Sequence, residues 1–224
     1  MSDIRTAILG RLRAARRTPF VHADPRAEDP AAAHDAWQAR QPPLGDLAER
    51  FAAAQRAVGS EVVRVPDWDA LPAAVTPWLG RHAIRSAITG QAPRLEPLRR
   101  HLAGQGVRVA RYERPVEEQG DELFAADLGI TTSAAGIAET GSIVLVPSPA
   151  EPRLLSLAVP VHLAIVECAA LVPTLADFIR SGAYQRAVPS NLVLVSGASR
   201  TSDIELVLVM GVHGPKVLLV ALIG

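Results

Sequence analysis

The fold class this sequence predicts is an open, mostly parallel α/β sheet with helices on both faces. Three observations predict it. Short, uniformly apolar runs such as "VHLAIVEC" at 161–168 and "KVLLVALI" at 216–223 have the pattern of strands buried on both sides. These runs alternate with segments of helical periodicity, the order expected of βα units. The 224 residues are 49% apolar and 21% charged, so the chain can bury a substantial core and is not a disordered polymer.

Taken in order, "LGDLAERFAAAQRAVG" from 44 reads as a helix that stops at Gly59, "EVVRV" as a strand, and "DWDALPAAVTPWLG" as a helix interrupted by proline. "AIRSAI" is a strand, "RLEPLRRHLAGQG" a helix, "VRVARY" a strand and "ELFAADLG" a helix. Two strands follow, "ITTSAA" and "SIVLVPS", then a short helix at "EPRLLSLA" and the buried strand "VHLAIVEC". "LVPTLADFIRSG" is a helix, "NLVLVSG" a strand, "TSDIELVLVM" a helix and "KVLLVALI" the last strand.

Residues 1–43 stand apart from this α/β domain of residues 44–224. Ile4, Ile8, Leu9 and Leu12 recur at helical spacing opposite Arg5, Arg11, Arg13 and Arg16, which predicts a helix over 2–16. Pro19, Pro25, Pro30, Pro42 and Pro43 then break the chain into a loose arm, able to wrap the domain or dock on a partner.

Composition excludes several classes of function. Lys plus Arg and Asp plus Glu are 23 each, and aromatic residues are 4%, so neither the basic footprint nor the stacking surface of a nucleic-acid binder is present. The one cysteine, Cys168, forbids an intrachain disulfide and a four-cysteine iron–sulfur cluster; ending a buried strand, it reads as a packed thiol. The first residues have no apolar core of a secretory signal, and no run is long enough to span a membrane, so the expectation is a cytoplasmic protein without membrane insertion.

In open α/β sheets ligands bind where the chain leaves the carboxyl ends of the strands. That rule selects three segments here. "GIAETGSIVL" sets Glu139, Thr140 and Gly141 against an apolar run; a carboxylate there is either satisfied by backbone N–H groups or held for a ligand as base or nucleophile. "VSGASRTSDIE" brings Ser196, Gly197, Ser199, Thr201 and Asp203 to a small-residue turn suited to a carboxylate or phosphate, although Ser202 and Glu205 have the spacing of a helix capping box. "GVHGP" places His213 on a turn as a candidate acid or base, whereas His162 opens a strand and reads as structural. The six histidines have no metal-ligand spacing, and no dinucleotide, phosphate-loop or hydrolase-elbow motif occurs.

The stretch from "GIAETGSIVLVPSP" through "LADFI", together with "VSGASRTSDIELVLVMGVHGP", resembles the lactate-utilisation protein C family, whose module is the LUD domain. The likeness is strongest over 128–222. Where relatives usually read Gly-Pro-Ser and Thr-Ala-Asp, this chain has Gly-Ala-Ser at 197–199 and Thr-Ser-Asp at 201–203. The resemblance implies a fold similar to the glucosamine-phosphate isomerase, ribose-phosphate isomerase and CoA-transferase group. It also implies a part in oxidising L-lactate to pyruvate beside iron–sulfur partner proteins, with this chain cluster-free and binding a small carboxylate or phosphate. Glu139 and His213 are then the candidate catalytic groups, and Thr140, Gly141, Ser196, Gly197, Ser199, Thr201 and Asp203 the candidate substrate-binding ones. Two other readings stay open: a stand-alone sugar-phosphate or CoA-ester enzyme, and a non-catalytic assembly subunit.

Overall fold

The computed structural model describes residues 45–182, 189, 191–202 and 208–224. The helix over 2–16, the arm to residue 43, and Asp203 and Glu205 lie outside the described residues.

Eight helical and strand elements build the first half of the domain. Helix α1 (Leu47–Ala57) is capped by Asp46, whose Oδ1 accepts from the N–H groups of Ala48 and Glu49 at 2.8 and 3.3 Å. Strand β1 (Glu61–Val65), helix α2 (Leu71–Arg81), strand β2 (Ser86–Thr89), helix α3 (Glu96–Gly104), strand β3 (Arg108–Arg111), helix α4 (Val116–Phe124) and strand β4 (Leu128–Thr132) follow. Then come β5 (Ala135–Ile137), β6 (Ser142–Leu145), the short helix α5 (Leu154–Leu157) and β7 (Val161–Glu167). The last elements are β8 (Leu171–Val172), helix α6 (Leu175–Arg180), β9 (Val193–Val195), β10 (Arg200–Ser202), β11 (Leu208–Met210) and β12 (Val217–Ile223).

Six strands form one all-parallel sheet in the order β1-β12-β7-β4-β2-β3. The central strands β7 and β12 are buried along nearly their whole length, which is why they read as unbroken apolar runs. On one face Leu163, Ile165, Leu219, Ala221 and Ile130 pack on Leu71, Val75 and Trp78 of α2 and Leu98 and Leu102 of α3. On the other, Ala164, Val166, Leu218, Val220 and Leu222 meet Phe51 and Ala52 of α1 and Ile143 and Leu145 of β6. Farther along that face Ile88 packs on Leu123 of α4 and Leu155 of α5. Burying each large apolar side chain contributes about 1.5–3 kcal/mol, so both faces are needed to hold the sheet.

The second face carries something the apolar pattern alone does not reveal. A separate four-stranded sheet, in the order β8-β5-β6-β9, covers part of it. Within it β5–β6 and β6–β9 are antiparallel, and β5–β8 is parallel. The helix expected at "TSDIELVLVM" is corrected too: β10 and β11 pair antiparallel, with Arg200 opposite Met210 and Ser202 opposite Leu208. The valines of "LVLVM" favour extended backbone, and Ser202, placed in a strand, cannot cap a helix.

Candidate functional site

The Glu-Thr-Gly triplet forms the turn that joins β5 to β6. The Glu139 N–H donates to Pro173 O at 3.0 Å, and its side chain is half-buried with no hydrogen-bond partner among the described residues. Gly141 has φ +68°, and a Cβ there would lie 2.9 Å from Ala54 Cβ and 3.1 Å from Gln55 N. The turn therefore sits directly on α1, and only glycine permits both the backbone conformation and the approach. Buried Gln55 locks it in place, donating through Nε2 to Gly141 O while its Oε1 accepts from Ser60 Oγ at 2.6 Å.

From this turn a chain of hydroxyls runs to the loop after β9. Thr140 Oγ1 and Ser142 Oγ are 2.7 Å apart, and Ser142 Oγ and Ser196 Oγ 2.6 Å apart. Beyond Ser196 the backbone bends at Gly197, where φ is +111° and a Cβ would come within 2.9 Å of Val58 Cγ2. The loop is then laced to the segment before β12: Ser199 N–H donates to Pro215 O, and Gly211 N–H donates to Ser199 O, both at 2.9 Å. Lys216 N–H donates to Pro160 O at 2.8 Å, which anchors the segment at the start of β7.

Between these strands of chain lies a cleft of about 190 Å3, bounded by Ser196, Gly197, Ser199, His213, Gly214 and His162. Four of the predicted site residues thus meet: Ser196, Gly197, Ser199 and His213. Glu139, Thr140 and Gly141 do not line the cleft and reach it only through the Thr140–Ser142–Ser196 hydroxyls. Thr201 is in β10, and Asp203 is outside the described residues. The backbone N–H groups of Gly197, Ala198 and Gly214 meet no acceptor among the described residues. Two larger hollows, about 420 and 460 Å3, lie beside β1 and the end of α2, and neither contains a predicted site residue.

The position of the cleft departs from the strand-end rule. Ser196 follows a strand of the small sheet, whereas His213 precedes β12 and His162 is the second residue of β7. The cleft therefore stands at the amino-terminal end of β7 and β12, covered by the small sheet.

The structural role expected of His162 fits its burial only in part. The ring is wholly buried and its Nε2 lies 2.8 Å from Thr131 Oγ1, but Nδ1 has no partner among the described residues. Burial pushes its pKa down to about 3, so the ring is neutral near pH 7. An orphaned nitrogen cannot be read from sequence, because the partner of each ring atom is set by strands β4 and β7 pairing.

A second carboxylate that sequence reasoning passed over is Glu151. Its Oε1 accepts from Thr132 N–H at 2.7 Å and its Oε2 from Thr132 Oγ1 at 3.0 Å. Burial raises its pKa against the lowering effect of those bonds. Cys168 is only half-buried; its Sγ donates to Gly224 O at 3.1 Å, and burial raises its pKa, so it is held as a thiol. Among the described residues no three His, Cys, Asp or Glu side chains converge as metal ligands, and no helix is long and apolar enough to cross a membrane.

Comparison with known proteins places this geometry in a family. The LUD domain model matches residues 48–223. The chain is 32% identical over 181 residues to an uncharacterized protein of Neisseria meningitidis serogroup B, covering 72% of this chain and 78% of that one. It is 33% identical over 156 residues to the lactate utilization protein C of Halalkalibacterium halodurans, covering 66% of each chain. With the lactate utilization protein C of Bacillus subtilis it shares 39% identity over 103 residues, 44% of this chain and 43% of that one, so the match spans less than half of that relative. The crystal structure of a DUF162 family protein from Deinococcus radiodurans superposes with a TM-score of 0.63 at 27% identity, covering 82% of this chain and 100% of that one. The match runs through the whole α/β domain, from α1 to the last strand, and the chain belongs to the LUD domain family.

Proposed function

We propose that this chain acts in lactate utilisation, as the cluster-free component of a system that oxidises L-lactate to pyruvate with iron–sulfur partner proteins in the cytoplasm. The observation that carries the reading is the cleft, where Ser196, Gly197, Ser199 and His213 meet beside three backbone N–H groups without acceptors among the described residues. Unpaired N–H groups at a glycine bend suit a carboxylate, which accepts several hydrogen bonds at once. Relatives named lactate utilization protein C support lactate as the acid.

In this reading the carboxylate rests on the Gly197–Ser199 turn, and the exposed His213 imidazole takes the proton of the lactate hydroxyl. The α-carbon gives up two electrons to the redox centres of the partners and its hydrogen leaves as a proton to solvent, since the one cysteine of this chain cannot supply the four thiolates of a cluster. Thr201, in β10 beyond this turn, and Asp203 are the further candidates for holding the anion. Glu139 and Thr140 act at the far end of the hydroxyl chain, whose other end, Ser196, borders the ligand; Gly141 fixes the turn that holds them.

The test is lactate-dependent dye reduction in an extract lacking only this chain, with purified protein added back. Wild type restores the activity, His213→Ala and Glu139→Gln do not. Restoration by both variants would reduce the chain to an assembly subunit. If the missing chain makes no difference, the lactate reading falls.

A further inference from the structure

Thr131 lies on β4 beside His162 on β7, and both side chains point into the layer between the two sheets, the face occupied by Ala164 and Leu218. The Thr131 hydroxyl has one hydrogen-bond partner among the described residues, His162 Nε2. A buried hydroxyl keeps its proton in a hydrogen bond, so Thr131 donates and Nε2 accepts. In a neutral imidazole the proton is then on Nδ1. That N–H is buried, has no acceptor among the described residues, and belongs to a residue that borders the floor of the cleft. Natural proteins rarely leave a buried donor unmet, so one beside a cleft calls for a partner, and a ligand is one that the cleft can supply.

We propose that His162 is a specificity residue of the cleft, its Nδ1–H donating to the oxygen on the carbon next to the carboxylate of a bound 2-oxo or 2-hydroxy acid. The inference rests on the carboxylate reading above and names what recognises the rest of the molecule. A ketone oxygen accepts this hydrogen bond directly. A hydroxyl oxygen accepts it while its own proton stays available to His213. A carboxylic acid without oxygen at that carbon leaves the N–H unmet and is rejected. The ring has no exposed surface in the structure, so the oxygen reaches Nδ1 as the neighbouring loops adjust on binding. Neutrality at physiological pH lets the ring donate without demanding a second negative charge from the ligand.

The experiment measures dissociation constants of pyruvate, L-lactate and propionate for the full-length chain by calorimetry. Wild type binds pyruvate and lactate about tenfold more tightly than propionate, the discrimination one hydrogen bond supplies. His162→Gln keeps an amide near the Nε2 position for Thr131 and loses the Nδ1 donor. In it the ratio collapses to about twofold, while propionate affinity holds. An unchanged ratio in His162→Gln overturns the inference and leaves the carboxylate reading standing. If none of the three acids binds wild type, the carboxylate reading falls and this inference with it. Nitrogen-15 spectra of the wild-type rings decide the matter if the variant does not fold. A protonated Nδ1 whose proton resonance moves with pyruvate is expected, and an unprotonated Nδ1 or an unmoved resonance refutes the role.

Discussion

At the carboxyl-terminal edge of the large sheet, polar groups largely satisfy one another. Glu151 takes both donors of Thr132, and buried Arg99 donates to Thr89 Oγ1, Gly90 O and Ala92 O while pairing with Glu96. Arg94 pairs with Glu167 and lies over the Trp68 ring at 4.7 Å. Ser133 Oγ and Trp68 Nε1 are buried there without a partner among the described residues. At the opposite end of β7 and β12 the donors of Gly197, Ala198, Gly214 and His162 gather around one cleft without acceptors among the described residues. Strand-end position alone would select the first region; the convergence of Gly197, Ala198, Gly214 and His162 on one cleft selects the second. A closed network stabilises the fold, and an open one is shaped for a ligand.

The largest expected effect breaks the comparison on its stability side. Glu151→Leu leaves the Thr132 N–H and hydroxyl without their acceptor and costs about 2–3 kcal/mol in urea denaturation, while pyruvate affinity stays at the wild-type value. A matching loss of affinity would show that the two regions are one site.

The pH dependence of stability separates them by sign. His162 is neutral in the folded chain to about pH 3, whereas an unfolded histidine takes a proton near pH 6.5. Below 6.5 the unfolded chain therefore binds the extra proton, and stability is full above that value and falls as pH drops toward 3. About 1–2 kcal/mol should be lost between pH 7 and 5, and His162→Gln should lose correspondingly less. Glu151 works the other way: its raised pKa contributes stability at acid pH that is lost as pH rises through the raised value. Denaturation midpoints at several pH values read both slopes.

Gly197→Ala sharpens the cleft side. The +111° φ and the approach to Val58 make any side chain strained, at about 1 kcal/mol, and a moved turn should lower carboxylate affinity about tenfold. Ser199→Ala is the smallest change. Its hydroxyl has no partner among the described residues, so stability should stay within about 0.5 kcal/mol while affinity drops a few-fold. Equal affinity in both variants would move the ligand away from this loop.

Strands β7 and β12 were legible to within a residue, because burial on both faces demands unbroken apolar runs and nothing local competes, and the half-buried edge strand β1 was legible from the valines of "EVVRV". The parallel sheet, the loop at 196–199 and the turn at His213 followed from the same text. "TSDIELVLVM" misled because the three-residue capping-box spacing from Ser202 to Glu205 outweighed the β preference of "LVLVM", and strand pairing decided against it. The small sheet was illegible as a sheet, since β5, β8 and β9 are two or three residues long and their partners are set by tertiary pairing. By itself the sequence determined which residues are chemically able to hold an anion, because glycine bends, hydroxyls and imidazoles are properties of residue type. Only the tertiary structure decided which of them share a cleft and which donors stay unmet. It set the turn at Gly141 on α1, brought His213 and Ser199 to one cleft, and left His162 Nδ1 open among the described residues, because a hydrogen bond depends on where its partner lies and not on spacing along the chain.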